Sequence, residues 1–179
     1  VSLGTKREMR MIDAIQDGLG QAMERHDSLV LMGQDIADYG GVFKVTEGFT
    51  DRFGKDRVRN TPLCESAIVG AALGLSIAGK KAMMEMQFSD FSTVGFNQIV
   101  NNLAKIHWRW GQAADVVVRM PTGGNVGAGP FHSQSIEAWF FHVPGLKIVY
   151  PSTPEDAKGL LIEAFEDPNP VLYFEHKFL

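Results

Sequence analysis

The chain has 179 residues, 45% hydrophobic and 21% charged, with a formal net charge of -4. This is the composition of a globular domain with a sizeable core, and the acidic balance argues against a nucleic-acid surface as its main business. One cysteine, Cys64, excludes an internal disulfide and fits a reducing compartment, while the longest apolar run, Ala67 to Ala78, is shorter than the ~20 residues of a membrane-spanning helix.

The basic opening stretch VSLGTKREMRMIDAI lacks the apolar segment and cleavage site of a signal peptide. Apolar residues from Glu8 to Glu24 (Met9, Ile12, Ile15, Leu19, Ala22, Met23) recur at helical spacing. LVLMG, Leu29 to Gly33, reads as a buried strand, followed by a polar, glycine-bearing crossover to Val58. Ala67 to Gly79 reads as a helix whose Gly70, Ala71, Gly74 and Ala78 permit close approach of another backbone. Lys81 to Gln87 is the next strand, and DFSTVGFNQIVNNLAKIHWRW, Asp90 to Trp110, reads as one long helix. Asp115 to Pro121 is a strand with a continuous apolar centre, the mark of a parallel sheet covered on both faces. A glycine-rich loop follows and leads into a helix through Trp139 and Phe140. LKIVYP is a strand. In STPEDAKGLLIEAFED, Thr153 can cap a helix, Pro154 suits its first position, and Glu155 and Asp156 favour its positive end. PVLYFE is the last strand. Strands alternating with helices predict an α/β domain of three layers, a mostly parallel sheet with helices on both faces.

Three places carry candidate chemistry. Glu65 stands where an apolar helix begins; it reads either as a carboxylate favoured by the free N–H groups there or as a partly buried carboxylate used for proton traffic. GGNVGAGPFHSQS, Gly123 to Ser135, fits neither a phosphate-binding P-loop nor a dinucleotide fingerprint; it delivers His132 to a helix start beyond a strand's carboxyl end, the edge where open α/β sheets bind ligands. Gln87, Phe88 and Phe91 stand at another such strand end, where an aromatic is core or stacks on a flat heterocycle. Cys64 is expected to be a packed core thiol. The remaining histidines lack ligand-like spacing, which predicts no transition-metal site. KIHWRW, Lys105 to Trp110, reads as a helix end at a subunit interface.

Several segments together carry a resemblance. GQDIADYGGVFKVTEGF, RVRNTPLCESAIVGAALGL, EMQFSDF, GPFHSQSIEAWFFHVPGLKIVYPSTPEDAKGLL and EDPNPVLYFEHK, in order from about Met11 to Leu179, resemble the beta subunit of the thiamine-diphosphate-dependent 2-oxo acid dehydrogenases. The resemblance covers that family's transketolase-like pyrimidine-binding domain. It implies that residues 1–179 are one domain of a beta part whose C-terminal domain is not in this sequence; an end just after a strand fits that expectation. The alpha part is a separate chain in some relatives and fused in others, and both origins stay open.

The resemblance implies roles residue by residue. Glu65 matches the glutamate that hydrogen-bonds the cofactor's aminopyrimidine and favours the tautomer able to take a proton from the thiazolium carbon. Phe91 matches the aromatic that stacks on that ring, and Leu63 and Gln87 match neighbouring cofactor contacts. His132 matches the histidine implicated in passing the acyl group to the lipoyl arm of a partner acyltransferase. A structural potassium site would fall on Ala114, Val116, Val117, Ala164, Asp167 and Asn169, mostly through main-chain carbonyls.

Two departures stand out. Many relatives have glutamate where this chain has Gln34, which puts a role in proton communication between active sites in doubt. The Gly-Asp-Gly…Asn-Asn motif for magnesium and diphosphate is absent, although Asn101 and Asn102 occur; in the family that motif lies on the alpha part. The expectation is therefore half of each active site, inactive without an alpha partner, in a heterotetramer or a dimer of fused chains serving a lipoylated acyltransferase, with no nucleic-acid or membrane partner. TPLCE and HSQSIEAWFFH lean towards branched-chain 2-oxo acids, with pyruvate or acetoin as alternatives. A non-catalytic assembly module of the same fold and another thiamine enzyme such as a transketolase remain rival readings. The family implies bacterial cytoplasm or mitochondrial matrix.

Overall fold

The computed structural model describes residues 7–179. Six strands form one parallel sheet: β1 (Val30–Gly33), β2 (Val58–Asn60), β3 (Ala82–Glu85), β4 (Val116–Thr122), β5 (Lys147–Val149) and β6 (Val171–His176), in the spatial order β2-β1-β3-β4-β6-β5. The strands alternate their side chains between two apolar layers. Leu31, Met83, Val117 and Tyr173 face one layer, with Ile15, Leu19 and Met23 of α1 (Met11–Arg25). Leu161 and Phe165 of α6 (Pro154–Glu166) complete that layer. Met32, Met84, Val118 and Leu172 face the other layer, with Ile68, Val69, Ala72 and Leu73 of α3 (Glu65–Ile77). Sheet and helices thus make the predicted three layers.

The local chemistry explains the helices. Thr153 Oγ1 accepts from the Asp156 amide at 3.1 Å, with Pro154 in the first turn, so the predicted cap of α6 is formed. Gly18 lets α1 meet α6: a Cβ there would lie 3.3 Å from Lys158 Cγ, and Lys158 Nζ reaches Asp17 at 2.6 Å.

Three expectations need correction. The crossover after β1 contains a short helix, α2 (Phe49–Phe53), and the edge strand β2, whose three residues are too few for an apolar period to show. The long helix is broken: a 3-10 turn (Ser89–Phe91) leads into α4 (Ser92–Asn97), a π-helical stretch (Gln98–Leu103) and then α5 (Ile106–Trp110). Through these changes Ile99, Leu103 and Ile106 all stay buried against the sheet. Beyond the glycine-rich loop there is only a 3-10 turn (Glu137–Phe140), so His132 is not at a helix start.

Candidate active site

β1 turns outward to β2 on one side, and the chain then crosses to β3 on the other. The carboxyl ends of β1 and β3, where Gly33 pairs with Glu85, are therefore the topological switch point at which open sheets bind ligands. Gln34 follows β1, Gln87 and Phe88 follow β3, and α3 begins just beyond the end of β2.

Glu65 is the first residue of α3 and is only 5% exposed. Among the described residues its carboxylate has no hydrogen-bond or ion-pair partner. The side chain is largely buried but its carboxylate oxygens stay open to solvent, so a donor from outside the domain can reach them. Just past β1 and β2, the buried Gln34 Oε1 and Thr61 Oγ1 lack partners among the described residues, and the Thr61 amide donates to the Gly33 carbonyl, tying this edge to β1. Leu63 is 79% exposed, an apolar side chain uncovered beside the carboxylate. Cys64, expected in the core, is exposed; the backbone of 62–64 runs along the surface before entering the helix.

Phe91 stands just before α4, which packs on α3. Gly95, one turn further along on the same side, approaches the backbone of Glu65 so closely that a Cβ would be 3.6 Å from its carbonyl. Phe91 is half-buried and edge-on to Phe88 (centroids 5.6 Å) and to His132 (5.3 Å, 84°). Phe88 meets His132 at 5.0 Å and Phe43 at 5.6 Å. The structure thus brings Phe91 and His132 into one aromatic cluster, with Gln87 half-buried at its edge.

The loop carrying His132 is pinned at its return. The Gln134 carbonyl accepts from the Gly123 amide (3.0 Å) and from Thr122 Oγ1 (3.2 Å), and Ser89 Oγ donates to Thr122 Oγ1 at 2.8 Å. Gly123 has φ +97° and packs on His176, where a Cβ would come within 2.2 Å of the ring, so only glycine fits.

The residues matched to the potassium site fall elsewhere, at the opposite edge: the start of β4, the last turns of α6 and the turn into β6. There Asp167 accepts from the Asn169 amide (2.9 Å) and side chain (2.8 Å), and the Lys147 ammonium bonds its other oxygen. Burial works against the Asp167 charge, but the Lys147 and Asn169 donors outweigh it and hold this carboxyl below its ordinary range.

Sequence reasoning missed the most buried charges of the fold. Arg119 of β4 is fully buried, forks onto both oxygens of Glu175 (Nε to Oε2 2.9 Å) and donates from Nη1 to Glu85 Oε2 at 2.5 Å. Burial pushes the Glu85 carboxyl up, against the pull of Arg119 and with help from Glu175. The two carboxylates outweigh burial and hold the Arg119 guanidinium above its ordinary value. The signal was a single Glu or Arg in each of three apolar strands, Glu85, Arg119 and Glu175, which parallel pairing brings to one face.

A carboxylate awaiting a donor, a half-buried phenyl ring and an apolar rim suit a flat, hydrogen-bonding heterocycle such as an aminopyrimidine, and the residues present fit such a group.

Residues 7–179 match the family model described as transketolase, pyrimidine binding domain. The chain is similar to the 2-oxoisovalerate dehydrogenase subunit beta of Bacillus subtilis, 49% identical over 173 residues, covering 94% of this chain and 52% of that protein. Against the 3-methyl-2-oxobutanoate dehydrogenase subunit beta of Mycobacterium tuberculosis the identity is 45%, covering 96% and 50%. Against the pyruvate dehydrogenase E1 component subunit beta of Acholeplasma laidlawii it is 44%, covering 93% and 52%. The chain spans about half the length of the curated relatives it matches. Among solved structures, a split gene transketolase, an inactive beta4 tetramer, superposes with a TM-score of 0.75 at 19% identity, covering 95% of this chain and 52% of that one, a likeness of fold.

Proposed function

Since the chain belongs to the family of transketolase pyrimidine-binding domains, we propose that it is the pyrimidine-binding part of the thiamine-diphosphate-dependent decarboxylating component of a branched-chain 2-oxo acid dehydrogenase. The observation that carries this reading is the largely buried Glu65 side chain, whose carboxylate has no partner among the described residues and which begins α3 where the helix after Phe91 packs on it.

Each residue has a task in this reading. Glu65 accepts a hydrogen bond from, and shares a proton with, a ring nitrogen of the aminopyrimidine; its low-dielectric surroundings strengthen that bond. Phe91 stacks on the ring, while Leu63 and Gln87 complete its contacts. His132, held edge-on between Phe88 and Phe91, stands ready to exchange a proton as the acyl group leaves for a lipoyl thiol. The chemistry that bound thiamine diphosphate supplies is the electron sink for loss of carbon dioxide from a 2-oxo acid.

The remaining parts belong to the assembly. Residues 1–179 are read as one domain of a longer beta part, which pairs with an alpha part that binds magnesium and diphosphate and with a second beta part. A lipoylated acyltransferase takes the product, and a potassium ion is assigned to the Asp167–Asn169 turn. The relatives named for 2-oxoisovalerate and 3-methyl-2-oxobutanoate favour a branched-chain substrate; the pyruvate dehydrogenase relative makes pyruvate the second reading. The relative from Bacillus subtilis favours the bacterial cytoplasm, and a relative from Arabidopsis thaliana named 2-oxoisovalerate dehydrogenase subunit beta 2, mitochondrial, favours the mitochondrial matrix.

The test uses the protein assembled with its alpha partner, thiamine diphosphate and magnesium. Reduction of an artificial acceptor is followed with 3-methyl-2-oxobutanoate and with pyruvate. Preference for the branched substrate is expected. Preference for pyruvate would overturn the substrate, and no turnover with any 2-oxo acid would overturn the enzyme class.

A further inference from the structure

The loop that carries His132 is held by a buried ion pair that belongs to neither the loop nor its strand. Lys177, just past β6, donates from Nζ to the His132 carbonyl at 2.7 Å. Asp90, in the 3-10 turn after β3, accepts the Gln134 amide on Oδ1 at 3.1 Å. Lys177 Nζ and Asp90 Oδ2 are 4.0 Å apart, with side chains 1% and 2% exposed. Among the described residues Asp90 Oδ2 has no hydrogen-bond partner, so the pair is not optimised for its own bond. Lys177 Nζ also lies 4.8 Å from the centre of the Phe88 ring, the ring that meets the imidazole of His132 edge-on. The Lys177 amide is tied to the sheet through the Thr122 carbonyl at 2.9 Å.

Burying two charges is costly and is repaid poorly by a 4.0 Å contact. What the arrangement achieves instead is geometric. One end of the pair grips the main chain at residue 132, the other grips it at 134, and the ammonium fixes the ring against which the imidazole rests. We propose that Lys177 and Asp90 are positioning residues that set the orientation of the His132 imidazole for its reaction. This inference rests on the proposed acyl-transfer role of His132.

The experiment uses the full alpha–beta assembly with thiamine diphosphate. Two rates are compared, reduction of an artificial acceptor and acylation of a free lipoyl domain. The variants are His132→Ala, Lys177→Arg and the charge-free double variant Lys177→Met/Asp90→Ala, which leaves no unpaired buried charge and no side-chain acceptor for the Gln134 amide. Independently, amide hydrogen exchange of residues 123–135 is followed without substrate. The double variant is expected to lower the ratio of lipoyl acylation to acceptor reduction by about a hundredfold, in kcat rather than KM, as a misplacement near 1 Å does. Lys177→Arg is expected to restore part of that ratio, and the amides of 132 and 134 are expected to exchange faster in the double variant. If His132→Ala shifts the ratio and the double variant does not, the positioning role is wrong. If His132→Ala leaves the ratio unchanged, the acyl-transfer reading of His132 is wrong and the positioning role for that reaction falls with it. Unchanged exchange at 132 and 134 in the double variant would overturn the grip on the loop whatever the rates show.

Discussion

Replacing Arg119 by methionine isolates the most consequential buried charge. Arg119 is 0% exposed and is the cation shared by Glu85 (2%) and Glu175 (8%). Methionine fills much of the same space and donates nothing. Two carboxylates then remain buried with no counter-charge, and breaking a buried pair this way costs about 3–5 kcal/mol. That is a large share of a typical stability of about 5–15 kcal/mol. The sign with pH follows from Glu85. Its carboxyl already lies above its ordinary value because of burial, and the variant removes the guanidinium that pulls it down. A carboxyl raised in the folded state contributes stability that is complete below its unfolded pKa and is lost as pH rises through the folded one. The deficit of Arg119→Met should therefore be larger at about pH 8 than at about pH 5. Urea unfolding followed by circular dichroism at both pH values reads it. The triple variant Glu85→Gln/Arg119→Met/Glu175→Gln should recover most of the loss. A single variant within about 1 kcal/mol of wild type at the higher pH, or deficits equal at both, would refute the reasoning.

Gly145→Ala should destabilise the fold by more than about 2 kcal/mol, because a Cβ there would stand 1.9 Å from the Ala104 carbonyl oxygen at φ +97°; thermal unfolding unchanged from wild type would count against the packing described. Thr153→Ala should cost about 1 kcal/mol through loss of the α6 cap, and Thr153→Ser should restore it. Asp167 lies below its ordinary pKa, so its contribution is present above about pH 4 and is lost as pH falls through the folded value. The stability gap between wild type and Asp167→Asn should therefore shrink on acidification; a gap that widens there would show that the Lys147 and Asn169 contacts do not set the charge.

The layering was legible because parallel strands buried on both faces are written as continuous apolar runs, as in Val116–Val118 and Val171–Phe174. The α6 cap was legible because its chemistry is local, contained in Thr153 to Asp156. What did not show was set by tertiary contact. β2 is too short to carry a period. The helix after β3 changes its winding at Gln98–Leu103, which a simple apolar spacing does not record. Cys64 looked like core by residue type, but the backbone before α3 runs along the surface. At the site, Glu65 could be singled out as an ionisable residue opening an apolar helix, and His132 as the end of a glycine-rich loop. Their surroundings could not: Phe88 reaches His132 across 44 residues of chain, Lys177 across 45, and Arg119 reaches Glu175 across 56. Such groups appear in the sequence as separate charged or aromatic residues in apolar strands, and only the register of a parallel sheet shows that they meet.

The central claim, that Glu65 is placed to share a proton with a bound heterocycle, is tested most directly by Glu65→Gln in the complete alpha–beta assembly with thiamine diphosphate and magnesium. Glutamine keeps the shape and loses the ability to hold the proton. Decarboxylation of 3-methyl-2-oxobutanoate, read with an artificial acceptor, should fall by about 10²–10⁴-fold, the usual worth of a positioned acid–base group. Turnover equal to wild type would mean that Glu65 serves only the start of α3, and the account of its role would be contradicted.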